Sequence, residues 1–401
     1  MIDLPYLKDV CQATPSKIVM LVVDGLGGAP HRETGKSELE SARLPNLDAL
    51  SRRSAGGLTT PVTPGITPGS GPGHMALFGY DPVKYLMGRG VLEALGIGID
   101  LGKGDVAARG NLCTVDGDGL LVDRRAGRIP TAESAPLVEM LDRIEVPNVS
   151  LSVYPVQDYR FVLVLRGDDL RDDVGETDPQ RNGAAPVDAE ALSPPAERTA
   201  EAVNAFVAAA RDVLGGRDRA NMVLLRGFSA LPRLPDFGGS YSLNPAAVAA
   251  YPMYRGLAEL VGMKVLRTGQ TFDDELDTLE AHFADHDFFF LHYKPADAAG
   301  EDGDFDAKVA RLEELDARIP RLLELQPDAL VVAGDHATPA IMAGHSWHPV
   351  PLLISSGLTA GDGIDGFSER TCAAGSIGRI PATSVMMLAL AHAGKLAKFG
   401  P

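Results

Sequence analysis

The chain has 401 residues, of which 45% are hydrophobic and 23% are charged, and this composition is typical of a globular protein with room for two domains. Its formal net charge at pH 7 is −17, which argues against nucleic acid or an anionic membrane as a partner. A small anionic substrate is not excluded, because arginines or bound cations can reverse the field inside one cleft.

Cysteine usage and the first residues bear on the compartment. The three cysteines, Cys11, Cys113 and Cys372, are scattered without a CxxC pair, as is typical of a reducing compartment. The first apolar run, 18–23, follows charged and polar residues without a cleavage-site pattern. No stretch approaches the roughly 20 apolar residues of a membrane helix. We therefore expect a soluble cytoplasmic protein.

Four short apolar runs predict β-strands. Their near-continuous apolarity, rich in β-branched and aromatic residues, is typical of strands covered on both faces of a parallel sheet. Residues 304–325 have apolar positions at three-to-four spacing, which predicts a helix. Strands alternating with helices indicate an α/β fold. The four runs are 17–25, 221–227, 286–294 and 328–336.

The middle of the chain differs in amino-acid composition from its two ends. Residues 166–199 are polar and rich in proline, which indicates a long excursion, and residues 121–130 concentrate three arginines beside an aspartate. We predict that residues 106–270 form a second domain inserted into a core made of residues 1–105 and 271–401.

Potential metal ligands stand at or just beyond the ends of three predicted strands and in the segment 343–354. The carboxyl ends of strands form the binding crevice of an open α/β sheet, so we expect these side chains to meet there. Mixed carboxylates and imidazoles suit Mn²⁺ or Zn²⁺ better than Ca²⁺. Each residue taken alone also fits a structural role, such as a turn at the Asp-Gly pair 24–25. The candidates are Asp24, Asp297, Asp335, His336, His345 and His348.

The segment GITPGSGPGHMALFGYDP, residues 65–82, places Ser70 and His74 in a backbone rich in glycine and proline. A serine between glycines at the start of a helix lies where backbone N–H groups and the helix dipole attract an anion. Beside a divalent cation, such a hydroxyl loses its proton more easily and becomes a nucleophile. By composition alone, an ordinary surface turn is the favoured interpretation of this segment.

Seven segments, in order along the chain, carry a resemblance to a known family. They are VMLVVDGLGG (19–28), LPNLDALSRRSAGG (44–57), PGSGPGHMALFGYDP (68–82), GRGVLEALGIGIDLGKGDVAARGN (88–111), DRRAGRI (123–129), VAGDHATP (332–339) and GHSWHPVPLLI (344–354). Through nearly its whole length the chain resembles the 2,3-bisphosphoglycerate-independent phosphoglycerate mutases of the archaeal type, within the alkaline phosphatase superfamily. The resemblance implies an alkaline-phosphatase-like core with a mostly parallel sheet and helices on both faces, and a smaller inserted α+β domain.

The resemblance also implies two divalent cations, Mn²⁺ or Zn²⁺ with Mg²⁺ and Co²⁺ as alternatives, and no use of 2,3-bisphosphoglycerate. It assigns Asp297 and His345 to one cation, whereas His348 falls at a variable position. The residues that it implies around the other cation are Asp24, Ser70, Asp335 and His336.

One position departs from the family pattern. Glu301, the fourth residue after Asp297, stands where the family normally has a histidine ligand. A carboxylate is still a ligand for Mn²⁺ or Zn²⁺, and it makes the site more anionic. Alternatively, Glu301 points away and leaves a site with two ligands. The departure leaves the fold inference intact and bears on the reaction.

The implied reaction is the interconversion of 3-phosphoglycerate and 2-phosphoglycerate through a phosphoserine at Ser70. The inserted domain would close over the site, and its arginines would bind carboxylate and phosphate groups. A diverged phosphatase, phosphodiesterase or phosphonate-pathway transferase is the alternative that Glu301 favours, and a non-catalytic binding protein is a third. A homo-oligomer is compatible with the sequence. The substrate-binding candidates are His74, Arg109, Arg124, Arg125, Arg128, Arg160 and Arg226.

Overall fold

A computed structural model describes residues 2–359 and 363–400. In that part of the chain the strands are β1 (Ile18–Val23), β2 (Ala55–Thr60), β3 (Val106–Val115), β4 (Leu121–Asp123), β5 (Ser150–Pro155), β6 (Arg160–Arg166), β7 (Met222–Ala230), β8 (Pro245–Val248), β9 (Lys264–Val265), β10 (Phe288–Tyr293), β11 (Ala329–Ala333), β12 (Val350–Ser356) and β13 (Gly378–Pro381).

The α-helices in the same residues are α1 (Leu7–Val10), α2 (Glu38–Ser41), α3 (Pro45–Ser51), α4 (Ser70–Leu77), α5 (Arg89–Gly96), α6 (Thr131–Leu141), α7 (Glu197–Leu214), α8 (Phe237–Tyr241), α9 (Pro252–Leu260), α10 (Phe272–His282), α11 (Pro295–Glu301), α12 (Phe305–Asp316), α13 (Ile319–Glu324), α14 (Glu369–Ala373) and α15 (Val385–His392). Short 3₁₀ turns occur at Ala126–Arg128, Pro194–Ala196, Ala340–Met342 and Ala382–Ser384.

The chain divides into two compact units, and the first contains Met1–Leu86 and Leu234–Pro401. Its sheet has the order β13-β2-β12-β11-β1-β10-β8-β9. Within the described residues, the pairs that β12 makes with β2 and β11 are the antiparallel ones, and the other pairs of this sheet are parallel. Every residue of β1, β10 and β11 is buried, as the continuous apolar runs require.

Helices cover both faces of this sheet. Val19 and Leu21 of β1 share a hydrophobic cluster with leucines of α3, α10, α12 and α13. On the other face, Phe78, which caps α4, packs edge to face against Phe290 of β10, and α15 contacts β11 and β12. The predicted α/β fold, with a mostly parallel sheet and helices on both faces, is confirmed.

The second unit, Met87–Arg233, contains an antiparallel sheet in the order β4-β3-β6-β5, with β7 paired to β3. Helices α6 and α7 pack on one face, where Val138 and Phe206 join Phe161 of β6 in a separate hydrophobic cluster. Helices on one face of an antiparallel sheet make an α+β unit.

The boundaries of the second unit differ from the predicted 106–270. Helix α5 contacts β3 and β7, so the unit begins before residue 106. Strand β8, with the sequence PAAV, pairs with β10 in the large sheet and therefore belongs to the first unit. It lacks the run of β-branched and aromatic residues that predicts the four strands at 17–25, 221–227, 286–294 and 328–336.

Two local predictions from the pattern were wrong. The run 221–227 forms β7, which pairs antiparallel with β3 and does not enter the parallel sheet. Both faces of β7 are covered, by two hydrophobic clusters, so its apolar pattern is the same as that of a parallel strand. The helix predicted over 304–325 is two helices, α12 and α13, because Pro320 begins a new first turn.

The three cysteines are free and buried. Among the described residues, none of the helices has both the length and the apolar character needed to span a membrane.

Candidate functional site

Three adjacent strands of the large sheet end at one edge, and each is followed by predicted site residues. Strand β1 lies between β10 and β11, and Val23 pairs in register with Tyr293 while Val22 pairs with Ala333. Asp24 directly follows β1, and Asp335 and His336 follow β11 closely. Helix α11, which carries Asp297, begins just after β10. Parallel pairing therefore brings together residues that are about 300 positions apart.

Asp24, Ser70, Asp335 and His336 form what we call the first ligand group. The Nε2 atom of His336 lies 3.0 Å from Oγ of Ser70, 3.1 Å from Oδ2 of Asp335 and 3.3 Å from Oδ1 of Asp24. All four side chains are buried, and the Asp24, Asp335 and His336 ligand atoms lie close enough together to hold one metal ion. The structure thus brings the four sequence-predicted residues to one point.

Asp297 and His345, with Glu301 beside them, form what we call the second ligand group. The ligand atoms of Asp297 and His345 lie close enough to those of His336 to hold one metal ion, and Glu301 lies at the edge of this set. The Nε2 atom of His345 lies 3.7 Å from Oδ1 of Asp297 and 3.5 Å from Oε1 of Glu301. Its ring stacks on that of His336, with 3.7 Å between centroids, so the two groups are adjacent. The contact with His345 lowers the pKa of Glu301, whose side chain is about half exposed, at 54%. Glu301 therefore points toward the group.

The glycine-rich segment lets Ser70 approach the other ligands. Ser70 is the first residue of α4, after an extended Gly69. A Cβ on Gly73 would lie 2.2 Å from the backbone oxygen of Asp335, so only glycine allows this helix so close to the loop after β11. His74 lies 2.8 Å, through Nδ1, from the carbonyl oxygen of Ser70 and 3.2 Å from Oδ2 of Asp335.

His74 was predicted to contact the substrate, but it is completely buried in this structure. Its ring packs among Tyr254, Phe290 and His292. Burial acts to lower the pKa of His74, but the neighbouring Asp335 carboxylate outweighs it and raises the pKa. Its contacts are those of a residue that holds the Ser70 backbone and the Asp335 carboxylate in position.

Three functional side chains around Asp24 were missed from the sequence. The Tyr254 hydroxyl donates to Oδ2 of Asp24, and both Nε2 of His292 and Nζ of Lys294 lie 3.2 Å from the same oxygen. Lys294 also donates to Oδ2 of Asp297. Lys294 directly follows β10, as the other candidates follow their strands, and this position is a usable signal. Tyr254 lies 230 positions from Asp24, and nothing in its segment points to the site.

These contacts set the charge state of the first ligand group. Burial and the neighbouring Asp335 raise the pKa of Asp24, but Lys294, His292 and His336 together lower it to about 2. Burial lowers the pKa of His292 to about 4, so this ring is neutral near pH 7. Burial opposes the charge of Lys294, but the carboxylates of Asp24 and Asp297 raise its pKa well above the usual value. The site therefore holds an ionised Asp24 beside a charged lysine.

The structure explains why glycine follows Asp24 after β1. Gly25 has a φ of +65°, and a Cβ there would lie 2.7 Å from Oγ1 of Thr338 and 2.8 Å from Oδ1 of Asp297. Thr338 was also missed, and its hydroxyl contacts both Asp297 and His336. The turn is thus part of the site, because glycine leaves room for the second ligand group.

Three of the predicted arginines of the second unit lie on one face of its sheet. Arg109 pairs across the strands with Arg226, and Arg160 pairs with Asn111, so these side chains project from the same face of the β6-β3-β7 sheet. Nε of Arg109 lies 3.5 Å from Oε1 of the buried Glu93, a residue that sequence reasoning missed.

The other predicted arginines have different surroundings. Arg124 makes a bidentate pair with Asp178, at 2.9 and 2.6 Å, and Nε of Arg226 lies 3.0 Å from Glu176. Arg125 and Arg128 are exposed. Carboxylates of the same unit therefore already engage Arg124 and Arg226.

Comparison with known proteins gives consistent results. The model of the family described as 2,3-bisphosphoglycerate-independent phosphoglycerate mutase matches residues 51–218. A probable enzyme of that name from Thermus thermophilus is 49% identical over 403 residues, covering 99% of each chain. A probable enzyme of the same name from Thermotoga maritima is 51% identical over 397 residues, covering 98% of each.

Solved structures agree with these relatives. A cofactor-independent phosphoglycerate mutase from Thermoplasma acidophilum matches with a TM-score of 0.71 and 31% identity, covering 94% of this chain and 100% of that one. A protein from Pyrococcus horikoshii matches with a TM-score of 0.83 and 29% identity, over 96% and 99% of the two chains.

Fold and site together define an α/β protein with carboxylate, imidazole and hydroxyl groups clustered at the carboxyl edge of its sheet. The chain belongs to the family of 2,3-bisphosphoglycerate-independent phosphoglycerate mutases. The resemblance inferred from its motifs is confirmed.

Proposed function

We propose that this protein interconverts 3-phosphoglycerate and 2-phosphoglycerate through a phosphoserine at Ser70, with two divalent cations and without 2,3-bisphosphoglycerate. The observation that carries the proposal is the position of the Ser70 hydroxyl, 3.0 Å from His336 at the point where Asp24 and Asp335 converge. Nearly full-length relatives named for this activity support it.

The first ligand group fits a cation. Oδ1 of Asp24 and Oδ2 of Asp335 are buried, and neither receives a hydrogen bond from the residues that the structure describes. Unpaired carboxylate oxygens are costly to bury, and both lie within 3.3 Å of the same imidazole nitrogen. Carboxylate and imidazole ligands suit Mn²⁺ or Zn²⁺. The first group would hold one cation, and Asp297, Glu301 and His345 would hold the other.

Such cations, when bound, supply positive charge that neutralises phosphoryl oxygens and favours the ionised form of a hydroxyl. The protein's own part is to present Ser70 Oγ to the phosphorus atom. The serine oxygen forms the new bond to phosphorus while the bond to one glycerate oxygen breaks, and the phosphoryl group then passes to the other glycerate hydroxyl. Ser70 is only 7% exposed, which limits competition by water.

Charged side chains would bind the anionic parts of the substrate. Lys294 is 28% exposed and is held between Asp24 and Asp297. In the second unit, Arg109 and Arg160 are the best candidates for the substrate carboxylate, because they share a sheet face and are partly buried. Arg125 and Arg128 add exposed positive charge. Arg124 and Arg226 are less suited to this role, because Asp178 and Glu176 already pair with them.

One observation favours a second candidate function, hydrolysis of the phosphoserine as in a phosphatase. Glu301 adds a negative charge 3.5 Å from His345, in the second ligand group. The cation of this group would help to bind the phosphoryl group, so the added charge weakens the attraction for an anionic substrate. Weaker retention of an anionic glycerate would then let water accept the phosphoryl group.

An assay that follows both products separates the two functions. Protein loaded with Mn²⁺ is incubated with 3-phosphoglycerate alone, 2-phosphoglycerate is measured through enolase, and free phosphate is measured in parallel. We expect 2-phosphoglycerate formation in excess of phosphate, and its loss in Ser70→Ala. Ser54→Ala is the matched control, because Ser54 is also buried and its hydroxyl donates to the backbone carbonyl of Leu50. Phosphate release without 2-phosphoglycerate would support the phosphatase.

A further inference from the structure

Thr338 is a buried residue that joins the two ligand groups through one hydroxyl. It lies two positions after His336, and its side chain is fully buried. Its Oγ1 atom lies 2.6 Å from Oδ1 of Asp297 and 2.9 Å from Nδ1 of His336. The hydroxyl therefore contacts a carboxylate of the second group and the imidazole of the first.

The single proton of this hydroxyl decides the direction of both hydrogen bonds. A hydroxyl donates one hydrogen bond and accepts others, whereas an ionised carboxylate only accepts. Oδ2 of Asp297 accepts a hydrogen bond from the ammonium group of Lys294, and Oδ1 faces the Thr338 hydroxyl, so both carboxyl oxygens act as acceptors. The Thr338 hydroxyl therefore donates to Asp297, and its oxygen accepts from the Nδ1–H group of His336.

This direction leaves a lone pair on Nε2 of His336 in the neutral ring. The lone pair faces Oδ2 of Asp335 at 3.1 Å and Oδ1 of Asp24 at 3.3 Å. In this form of the ring none of the three atoms can donate a hydrogen bond to another, and all three are ligand atoms for a divalent cation. The hydrogen bond at Nδ1 thus prepares the opposite nitrogen for metal binding.

The hydroxyl has little freedom to turn away from these partners. The backbone of Gly25 packs against it so closely that a Cβ there would lie 2.7 Å from Oγ1. The backbone oxygen of Thr338 accepts a hydrogen bond from Nζ of the buried Lys308 at 2.8 Å, which fixes the main chain. Thr338 is therefore held from both sides.

We propose that Thr338 is a positioning residue for cation binding, whose hydroxyl holds the Nδ1–H form of His336 and ties that ring to Asp297. The two ligand groups are then oriented together, so loss of one hydroxyl weakens binding at both. This inference rests on the proposed function only in taking the two groups as cation sites. It does not depend on which phosphorylated compound is the substrate.

The test is a titration of the full chain with Mn²⁺ alone, in which free Mn²⁺ is measured by its paramagnetic resonance signal. The variants are Thr338→Val, Thr338→Ser, and Thr59→Val as a matched buried threonine whose hydroxyl bonds to a backbone carbonyl. We expect Thr338→Val to bind Mn²⁺ about 10–100-fold more weakly, the range typical of lost hydrogen bonds to metal ligands. Thr338→Ser and Thr59→Val are expected to bind as the wild type does.

Wild-type Mn²⁺ affinity in Thr338→Val, or an equal loss in Thr338→Ser, would overturn the proposal. If the valine variant does not fold, as judged by circular dichroism, the comparison of Thr338→Ala with Thr338→Ser replaces it, with the same expected difference. The titration contains no phosphoglycerate. A wild-type protein that binds Mn²⁺ but forms no 2-phosphoglycerate would contradict the proposed function alone.

Discussion

At the scale of single residues, the site divides into ligands that follow strands and partners that do not. Asp24, Asp335 and His336 could be predicted because each comes directly after, or two or three residues beyond, a buried apolar run. Tyr254 and Thr338 could not, because their hydroxyl groups gain a role only when loops far apart in sequence meet. The burial of His74 in an aromatic cluster could not be predicted either, because its spacing from Ser70 does not show what surrounds its ring.

Glu301 is the residue whose chemistry departs most from the family pattern, and it carries the first prediction. Glu301→Ala removes a carboxylate that lies 3.5 Å from His345, so we expect about tenfold weaker binding of Mn²⁺ to the second group. Glu301→His exchanges a hard oxygen ligand for an imidazole, and we expect it to shift preference from Mn²⁺ toward Zn²⁺. Calorimetric titration with each metal measures both effects.

The matched control is Glu314→Ala, at an exposed glutamate paired with Arg311. Unchanged Mn²⁺ and Zn²⁺ binding in both Glu301 variants would mean that Glu301 is not a ligand. Asp297 and His345 would then be the two ligands that the second group provides.

At the scale of secondary-structure elements, a buried lysine braces the two loops that carry the ligands. Nζ of Lys308, on α12, donates to the carbonyl oxygens of Gly25, Gly27 and Thr338 at 2.8 to 3.0 Å. The first two belong to the loop after β1 and the third to the loop after β11. Helix α12 thus holds the ends of two neighbouring strands in register.

Lys308→Met leaves these three carbonyl oxygens without a donor in a buried position. We expect it to lower the free energy of unfolding by about 3–5 kcal/mol and also to weaken Mn²⁺ binding. Chemical denaturation and Mn²⁺ titration measure the two effects. Lys395→Met is the matched control, because Lys395 is equally buried but bonds to Thr14 and Asp287. Equal Mn²⁺ affinity in both lysine variants would contradict the bracing role.

Glu275, on α10, predicts a pH dependence of stability. Burial raises its pKa to about 8, and one carboxyl oxygen accepts from the backbone N–H of Ala250. An unfolded glutamate has a pKa near 4.5, so between about pH 4.5 and 8 the unfolded chain releases a proton that the folded chain retains. This group therefore makes the protein less stable as pH rises through that window, by up to about 1.4 kcal/mol per pH unit.

Glu275→Gln keeps the acceptor and removes the titration. We expect the unfolding free energy of the variant, relative to that of the wild type, to increase between pH 5 and pH 8 in urea denaturation. A difference that stays constant across this range would show that Glu275 is ionised in the folded protein.

At the scale of the whole molecule, the sequence predicted two units and the α/β class but not where they join. The class follows from apolar runs and helical spacing, which are local. The boundary follows from strand pairing, and β8 is too short and too rich in alanine to be recognised before its partner β10 is known. Likewise, β7 joins an antiparallel sheet, although its sequence has the pattern of a parallel strand.

We predict that the second unit folds independently as a fragment. Residues 87–233 have their own sheet and their own hydrophobic cluster. We expect this fragment, expressed alone, to unfold cooperatively and to retain antiparallel β signals in its circular dichroism spectrum. The predicted division at 106–270 gives a natural comparison, because it removes α5 and adds β8 and β9 without β10, the strand that joins them to the large sheet. If the longer piece folded better than 87–233, the boundaries would be contradicted.

The central claim is that the phosphoryl group passes through Ser70. The most direct measurement is mass spectrometry of Mn²⁺-loaded protein quenched during turnover of 3-phosphoglycerate, with the enolase-coupled assay run on Ser70→Ala in parallel. The account predicts one phosphoryl group on the peptide that contains Ser70 and no 2-phosphoglycerate from the alanine variant. A phosphoryl group on another residue, or 2-phosphoglycerate formed by Ser70→Ala, would contradict it.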